Sequence, residues 1–425
     1  MKRADLAIIN AAELATPQGF EPVFGRDTEK LRIIRNAAIA AFQGKIVSAG
    51  SQEEFQREVA LTDDAVTIDA GGKTLIPGFV DSHTHLPFAG SRDEEFLLRT
   101  SGATYEDIAK GGGGIRSTVK KTRGASKEEI VALSLDRLDR MLLHGTTTCE
   151  AKSGYGLSPD EEVKQLEALR EVSKRHPVTV VSTFLGAHTI PEEYAQKRDE
   201  YVSLVADGMI PMVAGQGLAE FCDIFCDEHG FTVDESRKIL LSARSHGLKI
   251  RVHADQFSSS GGSSLAAEFK AVSADHLENI SDEDIARLAL SRTVGVLLPG
   301  SVYFLRKKKY APARQMLDAG MALALSTDFN PGSSMTESMQ QILQLAVFMM
   351  DLSVAEALTM ATLNGAAAID RADMIGSLEE GKDADIVIMD IPNHLHLAYH
   401  FGVNHCSDII VKGKVCVQNR RRIHG

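Results

Sequence analysis

Residues 126–188 repeat one alternation twice: SKEEIVALSLDRLDRMLLHG (126–145), GTTTCEAKSGYG (145–156), PDEEVKQLEALREVSKRH (159–176) and VTVVSTFLGAH (178–188). The first and third segments are amphipathic at the helical period and end near Gly, His or Pro, as helices do. The second and fourth are short, β-branched and nearly all apolar, the texture of strands buried on both faces. Parallel strands joined by crossover helices produce this pattern. The strand texture returns in GFVDSHTHL (78–86), FCDIFCDEHG (221–230), LKIRVHADQ (248–256), AVSADHL (271–277), TVGVLLPG (293–300) and ALALSTDFNPG (322–332). Eight such units are what a (β/α)8 TIM barrel requires. A doubly wound open sheet competes, but the count and the polar residues at the carboxyl end of nearly every run favour the barrel.

Outside the barrel the texture changes. ADLAIIN (4–10), AAIAAFQGKIVSAG (37–50) and AVTIDAGGKTLIPG (65–78) alternate around Gly-rich turns and read as hairpins. DADIVIMD (383–390) and DIIVKGKVCVQNRR (408–421) have the same character. Each end alone is too small to bury a face, so the two are expected to pair. This gives a composite β-sandwich domain over 1–76 and 377–425 and an α/β barrel over 77–376.

A chain of 425 residues, 44% hydrophobic and 24% charged, is ordinary globular material. With 46 Lys+Arg against 58 Asp+Glu, the net charge is −12. No basic surplus exists to release counterions from phosphates, so nucleic acid is an unexpected partner. A small anionic substrate needs only one or two local cations and stays compatible. Five scattered cysteines form no disulfide framework and fit a reducing cytoplasm. Asp5 and Glu13 interrupt any signal-like apolar start, and no apolar stretch approaches the ~20 residues of a membrane helix.

The carboxyl ends of barrel strands form the active-site face. Here they supply His83, His85, Tyr155, His188, His253, His276 and Asp328. A single histidine at a strand end is usually just solvent-facing, but five of the fourteen histidines falling there points to a site. His83 and His85, at i and i+2 on a strand, point the same way and can grip one ion. With His253 and Asp328 they make three imidazoles and a carboxylate, a borderline set suited to Zn²⁺ or iron. Such a set leaves room for water, as catalytic sites do and closed structural sites do not.

The segment Ile76-Pro77-Gly78-Phe79-Val80-Asp81-Ser82-His83-Thr84-His85 resembles the opening signature of the amidohydrolase superfamily. His253, His276 and Asp328, with Gly376-Ser377-Leu378-Glu379-Glu380-Gly381-Lys382-Asp383-Ala384-Asp385, repeat the superfamily order. The likeness covers essentially the whole chain. Within the superfamily it is strongest to the branch that opens the cyclic amide of 4-imidazolone-5-propanoate to N-formimino-L-glutamate in histidine degradation. Ala89-Gly90-Ser91-Arg92, Gly111-Gly112-Gly113-Gly114-Ile115, Lys152-Ser153-Gly154-Tyr155-Gly156, Phe184-Leu185-Gly186-Ala187-His188, Ser273-Ala274-Asp275-His276, Thr327-Asp328-Phe329-Asn330-Pro331-Gly332-Ser333 and Tyr399-His400-Phe401-Gly402-Val403-Asn404-His405 carry it.

The resemblance implies one metal ion per subunit, Zn²⁺ or Fe³⁺, held by His83, His85, His253 and Asp328. It implies that Arg92 and Tyr155 grip the propionate, and a bidentate arginine suits a carboxylate. His188, Gln256, Asn330, Gly332 and Ser333 match substrate-binding positions, His276 fills the place of a catalytic histidine, and a homodimer is expected. Some relatives have glutamate where this chain has Gln256. An amide cannot serve as a base, so proton transfer falls to Asp328 or His276.

Other features read as structure. Lys152 invites a carbamylated bridge between two metals, but the likeness is to a one-metal enzyme. The glycines at 111–114 lack the context of a phosphate cradle and suit a loop near the pocket mouth. Cys222 and Cys226 are buried small hydrophobes. His394, His396, His400 and His405 are structural, and the arginines at 420–422 are a solvated tail. Two other functions use the same residues less well. An aminohydrolase of a purine, pyrimidine or triazine needs no partner for a carboxylate, and a metal-free scaffold has no use for four filled ligand positions.

Overall fold

The computed structural model describes residues 1–102 and 113–423; Gly111 and Gly112 of the glycine run lie outside the described residues. The amino-terminal strands are β1 (Lys2–Thr16), β2 (Arg32–Phe42), β3 (Lys45–Ser51), β4 (Val59–Asp69) and β5 (Thr74–Pro77). The barrel strands are β6 (Phe79–Asp81), β7 (Thr146–Lys152), β8 (Thr179–Ala187), β9 (Phe221–Cys226), β10 (Lys249–Ala254), β11 (Ser273–His276), β12 (Val294–Leu297) and β13 (Leu323–Leu325). At the carboxyl end come β14 (Ile386–Met389), β15 (Cys406–Val411), β16 (Lys414–Gln418) and β17 (Arg421–Arg422).

Each of the eight apolar runs contains one barrel strand, and neighbours from β6 to β13 pair in parallel in sequence order. Every residue of β7 is buried, as a parallel strand covered on both faces requires. The ring closes just beyond β6 and β13. There Asp328 N–H donates to His83 O at 3.1 Å and His85 N–H to Phe329 O at 3.0 Å. Between strands lie the expected helices. Lys127–Leu143 begins with Ser126 and Glu129 in a reciprocal cap, and Pro159–Arg175 carries Pro at its first turn.

The terminal segments do join into one sheet. β14 pairs antiparallel with β5, Ile386 opposite Pro77 and Val387 opposite Ile76. The apolar face of that sheet encloses its own core, with Leu6, Ile8, Leu14, Ile39, Leu75, Ile386, Ile388 and Ile410 all buried. β2–β3 and β15–β16 are the expected hairpins, turned by Gln43-Gly44 and Lys412-Gly413 with positive φ at all four residues. The hairpin expected over 65–78 is absent: β4 and β5 each pair in parallel with β1. β1 is long enough to hold both along its length, so Gly71-Gly72 carries the chain onward along β1.

The arginines at 420–422 are also better ordered than a solvated tail. Arg421–Arg422 pair with β16, and Arg422 forms an ion pair with Asp139. Of the late histidines, His394 Nδ1 lies 2.7 Å from Glu13 Oε1 and His405 Nε2 lies 2.8 Å from His400 O, both structural uses. All five cysteines are buried and free. Among the described residues no helix is long and apolar enough to cross a membrane.

Candidate active site

β6 and its extension bring His83 and His85 to the carboxyl end of the barrel, β10 brings His253, and the turn after β13 brings Asp328. Nitrogens of His83, His85 and His253 lie within 4.8 Å of one another, as do ligand atoms of His83, His276 and Asp328. Asp328 Oδ1 is 3.6 Å from His83 Nε2 and 3.5 Å from His85 Nε2. His83 Nε2 and His253 Nε2 are buried with no hydrogen-bond partner. Buried nitrogens without a partner are costly in an apolar interior and are what a coordinated ion would satisfy. The donor set therefore fits a metal ion.

The opposite ring nitrogens are held from beneath. His83 Nδ1 sits 2.7 Å from Asp275 Oδ2, and His253 Nδ1 sits 3.1 Å from Asp223 Oδ2. A carboxylate at one nitrogen fixes the tautomer and frees the other nitrogen's lone pair for an ion. Lys152 Nζ lies 2.7 Å from Glu150 and 2.8 Å from Asp223, while Arg251 Nη2 lies 2.9 Å from Asp275. These five buried charges form one network. Lys152 Nζ is committed to these carboxylate contacts, which leaves the carbamylated-lysine reading without support.

Burial, the largest influence, holds the imidazoles neutral. It lowers His83 far below the usual histidine range, His85 to about 3 and His253 to about 4. Neutral imidazole is the form that binds metal. His276 departs from its neighbours: burial would lower it too, but the Glu278 carboxylate, 3.5 Å from Nδ1, and Asp328 hold it above the ordinary value. Burial also raises Asp328, against the nearby histidines and the hydroxyl of Ser333 at 3.1 Å.

Backbone geometry explains how adjacent residues both reach the site. On a regular strand Asp275 and His276 point to opposite faces. His276 has φ +82°, a conformation costly for a non-glycine residue, and this turn brings its ring to the cavity while Asp275 holds His83. Asp328, at φ +52°, makes a similar turn. Gly154 has φ +109°, and a Cβ there would lie 2.9 Å from Leu185 O and 3.1 Å from His188 Nδ1, so glycine lets this loop pass under His188.

Above the cluster opens a cavity of about 380 Å³, lined by His85, Arg92, Tyr155, His188, His253, Gln256, His276, Asp328, Asn330, Gly332 and Ser333. His83 lies fully buried beneath it. His188 donates its Nδ1–H to Gly154 O at 3.0 Å, and its ring stacks on His85 at 5.0 Å between centroids. Two residues stand differently from expectation. Arg92 gives both Nε and Nη2 to Glu95 Oε2, each at 2.8 Å, so this edge of its guanidinium is occupied. The Asn330 amide is spent within its own loop, accepting from Gly332 and Ser333 N–H at 2.8 Å and donating to Asp328 O at 2.6 Å. It shapes the wall.

Sequence reasoning missed the acids Asp223 and Asp275 and the cavity residues Arg99, Lys307, Phe96, Phe257 and Phe304. One signal was available for the network: Arg251 stands between Ile250 and Val252, two residues before His253 on a buried strand, facing the same way.

The chain belongs to the amidohydrolase family, whose model matches residues 74–416. It is 48% identical over 426 residues to the imidazolonepropionase of Symbiobacterium thermophilum, covering 99% of this chain and 100% of that one. It is also 48% identical over 417 residues to the imidazolonepropionase of Geobacillus kaustophilus, covering 97% and 98%. Within the amidohydrolases, then, its place is among the imidazolonepropionases. An adenosine deaminase from Xanthomonas campestris, solved with bound Zn, aligns over 100% of this chain and 95% of its own with a TM-score of 0.74. At 19% identity that likeness shows the shared fold alone.

Proposed function

We propose that this chain hydrolyses the cyclic amide bond of 4-imidazolone-5-propanoate to give N-formimino-L-glutamate, in histidine degradation. The observation that carries the reading is one cavity with a buried imidazole–carboxylate cluster at its floor and arginines at its rim. A hydrolytic centre and a seat for an anionic tail are thereby a small molecule's length apart. A deaminase of an uncharged base has no use for the arginines.

His83, His85, His253 and Asp328 would hold one ion, Zn²⁺ or Fe³⁺. When bound, it supplies Lewis acidity and a water nucleophile at neutral pH. His276, kept protonated more readily by Glu278, donates a hydrogen bond to the ring carbonyl oxygen as negative charge develops there. Asp328, made more basic by burial, takes a proton at a carboxylate oxygen and delivers it to the leaving ring nitrogen. Arg92, Tyr155 and His188 orient the ring and tail so that attack is effectively intramolecular. Gln256, Gly332 and Ser333 complete the wall. Removing Arg92 by Arg92→Ala is expected to lower kcat/KM roughly 10- to 150-fold through loss of a charge-assisted bond. Steady-state kinetics with unchanged efficiency would reject that role.

Residues 1–76 and 377–425 act as a supporting β domain for the barrel over 77–376. The enzyme works in the cytoplasm as a homodimer. A face bearing Phe348, Tyr399 and Phe401, exposed by 54%, 79% and 67%, supports pairing with a second copy, which sedimentation would reveal. The decisive experiment assays freshly generated imidazolone propionate before and after treatment with a chelator. Turnover that disappears on chelation and returns with Zn²⁺ or iron is expected. Ammonia release from a nucleobase, with imidazolone propionate untouched, would overturn the proposal.

A further inference from the structure

One fully buried carboxylate lies outside the cavity and takes no part in the chemistry above. Glu162 stands near the start of the helix Pro159–Arg175 and forms no ion pair among the described residues. Its partners are backbone N–H groups. Oε2 accepts from Gly154 at 3.1 Å, and Oε1 accepts from Gly156 at 2.9 Å and from Leu157 at 2.7 Å. The remaining N–H of that stretch, on Tyr155, donates to Oε1 of Gln165 at 3.4 Å. Glu162 and Gln165 share a face of the helix, so every N–H from 154 to 157 ends on that face.

A buried carboxylate alone is costly, but three N–H donors and the positive end of a helix offset that cost. The demand runs both ways, because the loop must bend to bring its N–H groups to the anion. Leu157 is held at φ +54°, which non-glycine residues rarely adopt. At Gly156 a Cβ would lie 2.5 Å from Glu161 C and 2.6 Å from Glu162 N. The loop reaches the helix only because that residue lacks a side chain.

The same loop sets two walls of the cavity. Tyr155 packs its ring 5.9 Å from that of His85 and 5.4 Å from that of His188, between centroids. Gly154 O takes the Nδ1–H of His188, which in the neutral ring leaves Nε2 as the acceptor. The near end of the loop is tied to β8, where Ser153 N–H donates to Thr183 O and Leu185 N–H to Ser153 Oγ, both at 3.0 Å. Beyond Ser153 the backbone N–H groups depend on Glu162 and its neighbour Gln165.

We propose that Glu162 is a positioning residue for the reaction: from outside the cavity it holds the 154–157 loop, and through it Tyr155 and His188, in place against the substrate. The assignment rests on the imidazolone propionate reading above for what those two residues orient, and adds to it the group that sets their geometry.

The test uses the metal-loaded enzyme with Glu162→Gln, which keeps the shape but sets an NH2 group against one of the loop's N–H donors. With imidazolone propionate, kcat/KM is expected to fall roughly 10- to 100-fold, the scale of a displacement of about 1 Å, while metal content by elemental analysis stays at the parent's. In a Tyr155→Phe background the same substitution is expected to cost at least about threefold less, because part of what it disturbs is already gone. A loss of equal size in both backgrounds would make Glu162 a general stability element and overturn the assignment, as would an unchanged kcat/KM. The chain contains no tryptophan, so Tyr155→Trp places a single indole in the loop. Adding Glu162→Gln to it is expected to shift the emission to the red and open the indole to acrylamide quenching; an unchanged spectrum would overturn the assignment. Glu162→Asp, a carboxylate one methylene short, should give an intermediate loss and takes the place of the glutamine variant if that chain does not fold. A parent enzyme inert towards imidazolone propionate would instead reject the substrate reading, and the indole emission would still decide whether Glu162 holds the loop.

Discussion

Asp328→Ala is expected to lower kcat by about three orders of magnitude or more, the largest effect of any single substitution in this chain. Positioned proton transfer alone contributes about 10²- to 10⁴-fold. Among the described residues, Asp328 also supplies the only carboxylate facing both His83 Nε2 and His85 Nε2, at 3.6 and 3.5 Å. Its removal thus weakens ion binding and proton transfer together. Asp328→Asn separates the two losses, because an amide keeps the shape and tolerates the φ of +52° but cannot take up a proton. Single-turnover rates read beside metal content by elemental analysis make the comparison. An alanine variant with full metal content and kcat within tenfold of the parent would remove Asp328 from the chemistry.

Asp275→Ala is expected to act on stability and on the ion at once. The carboxylate is fully buried and holds His83 Nδ1 at 2.7 Å and Arg251 Nη2 at 2.9 Å, with Lys152 Nζ at 3.9 Å. Removing one partner of a buried ion pair typically costs about 3–5 kcal/mol, because the remaining charge stays desolvated. Loss of the carboxylate that orients a metal-binding imidazole typically weakens metal affinity about 10- to 100-fold. Denaturant unfolding and competition with a chromogenic chelator measure the two effects. If both stay near parent values, the network under the site is not what orients His83.

The barrel was legible because its strands are buried on both faces, so they stand out as β-branched runs between amphipathic helices. The cluster was legible because His83, His85, His253 and Asp328 sit where each run turns polar. The network beneath was not. Asp223 and Asp275 lie within strands, and sequence alone does not show which polar side chain faces inward when, as at His276, the backbone leaves the regular alternation. Arg99 was hidden differently. On an exposed helix an arginine reads as solvated surface, and only the approach of Phe304 and the Gly332 loop encloses it. The terminal sheet was half legible. Apolar alternation marks strands but not their partners, so the double parallel pairing along β1 looked like a hairpin.

Three of the four residues assigned to the ion flank the place where the first and last barrel strands meet, joined by the Asp328–His83 and His85–Phe329 backbone bonds. An ion held there works as a clasp across the seam of a hoop: it can be gripped only once the hoop has shut, and it favours the shut form in return by mass action. A fragment lacking the last strand would keep the three imidazoles but lose the carboxylate that fastens the first strand to the last.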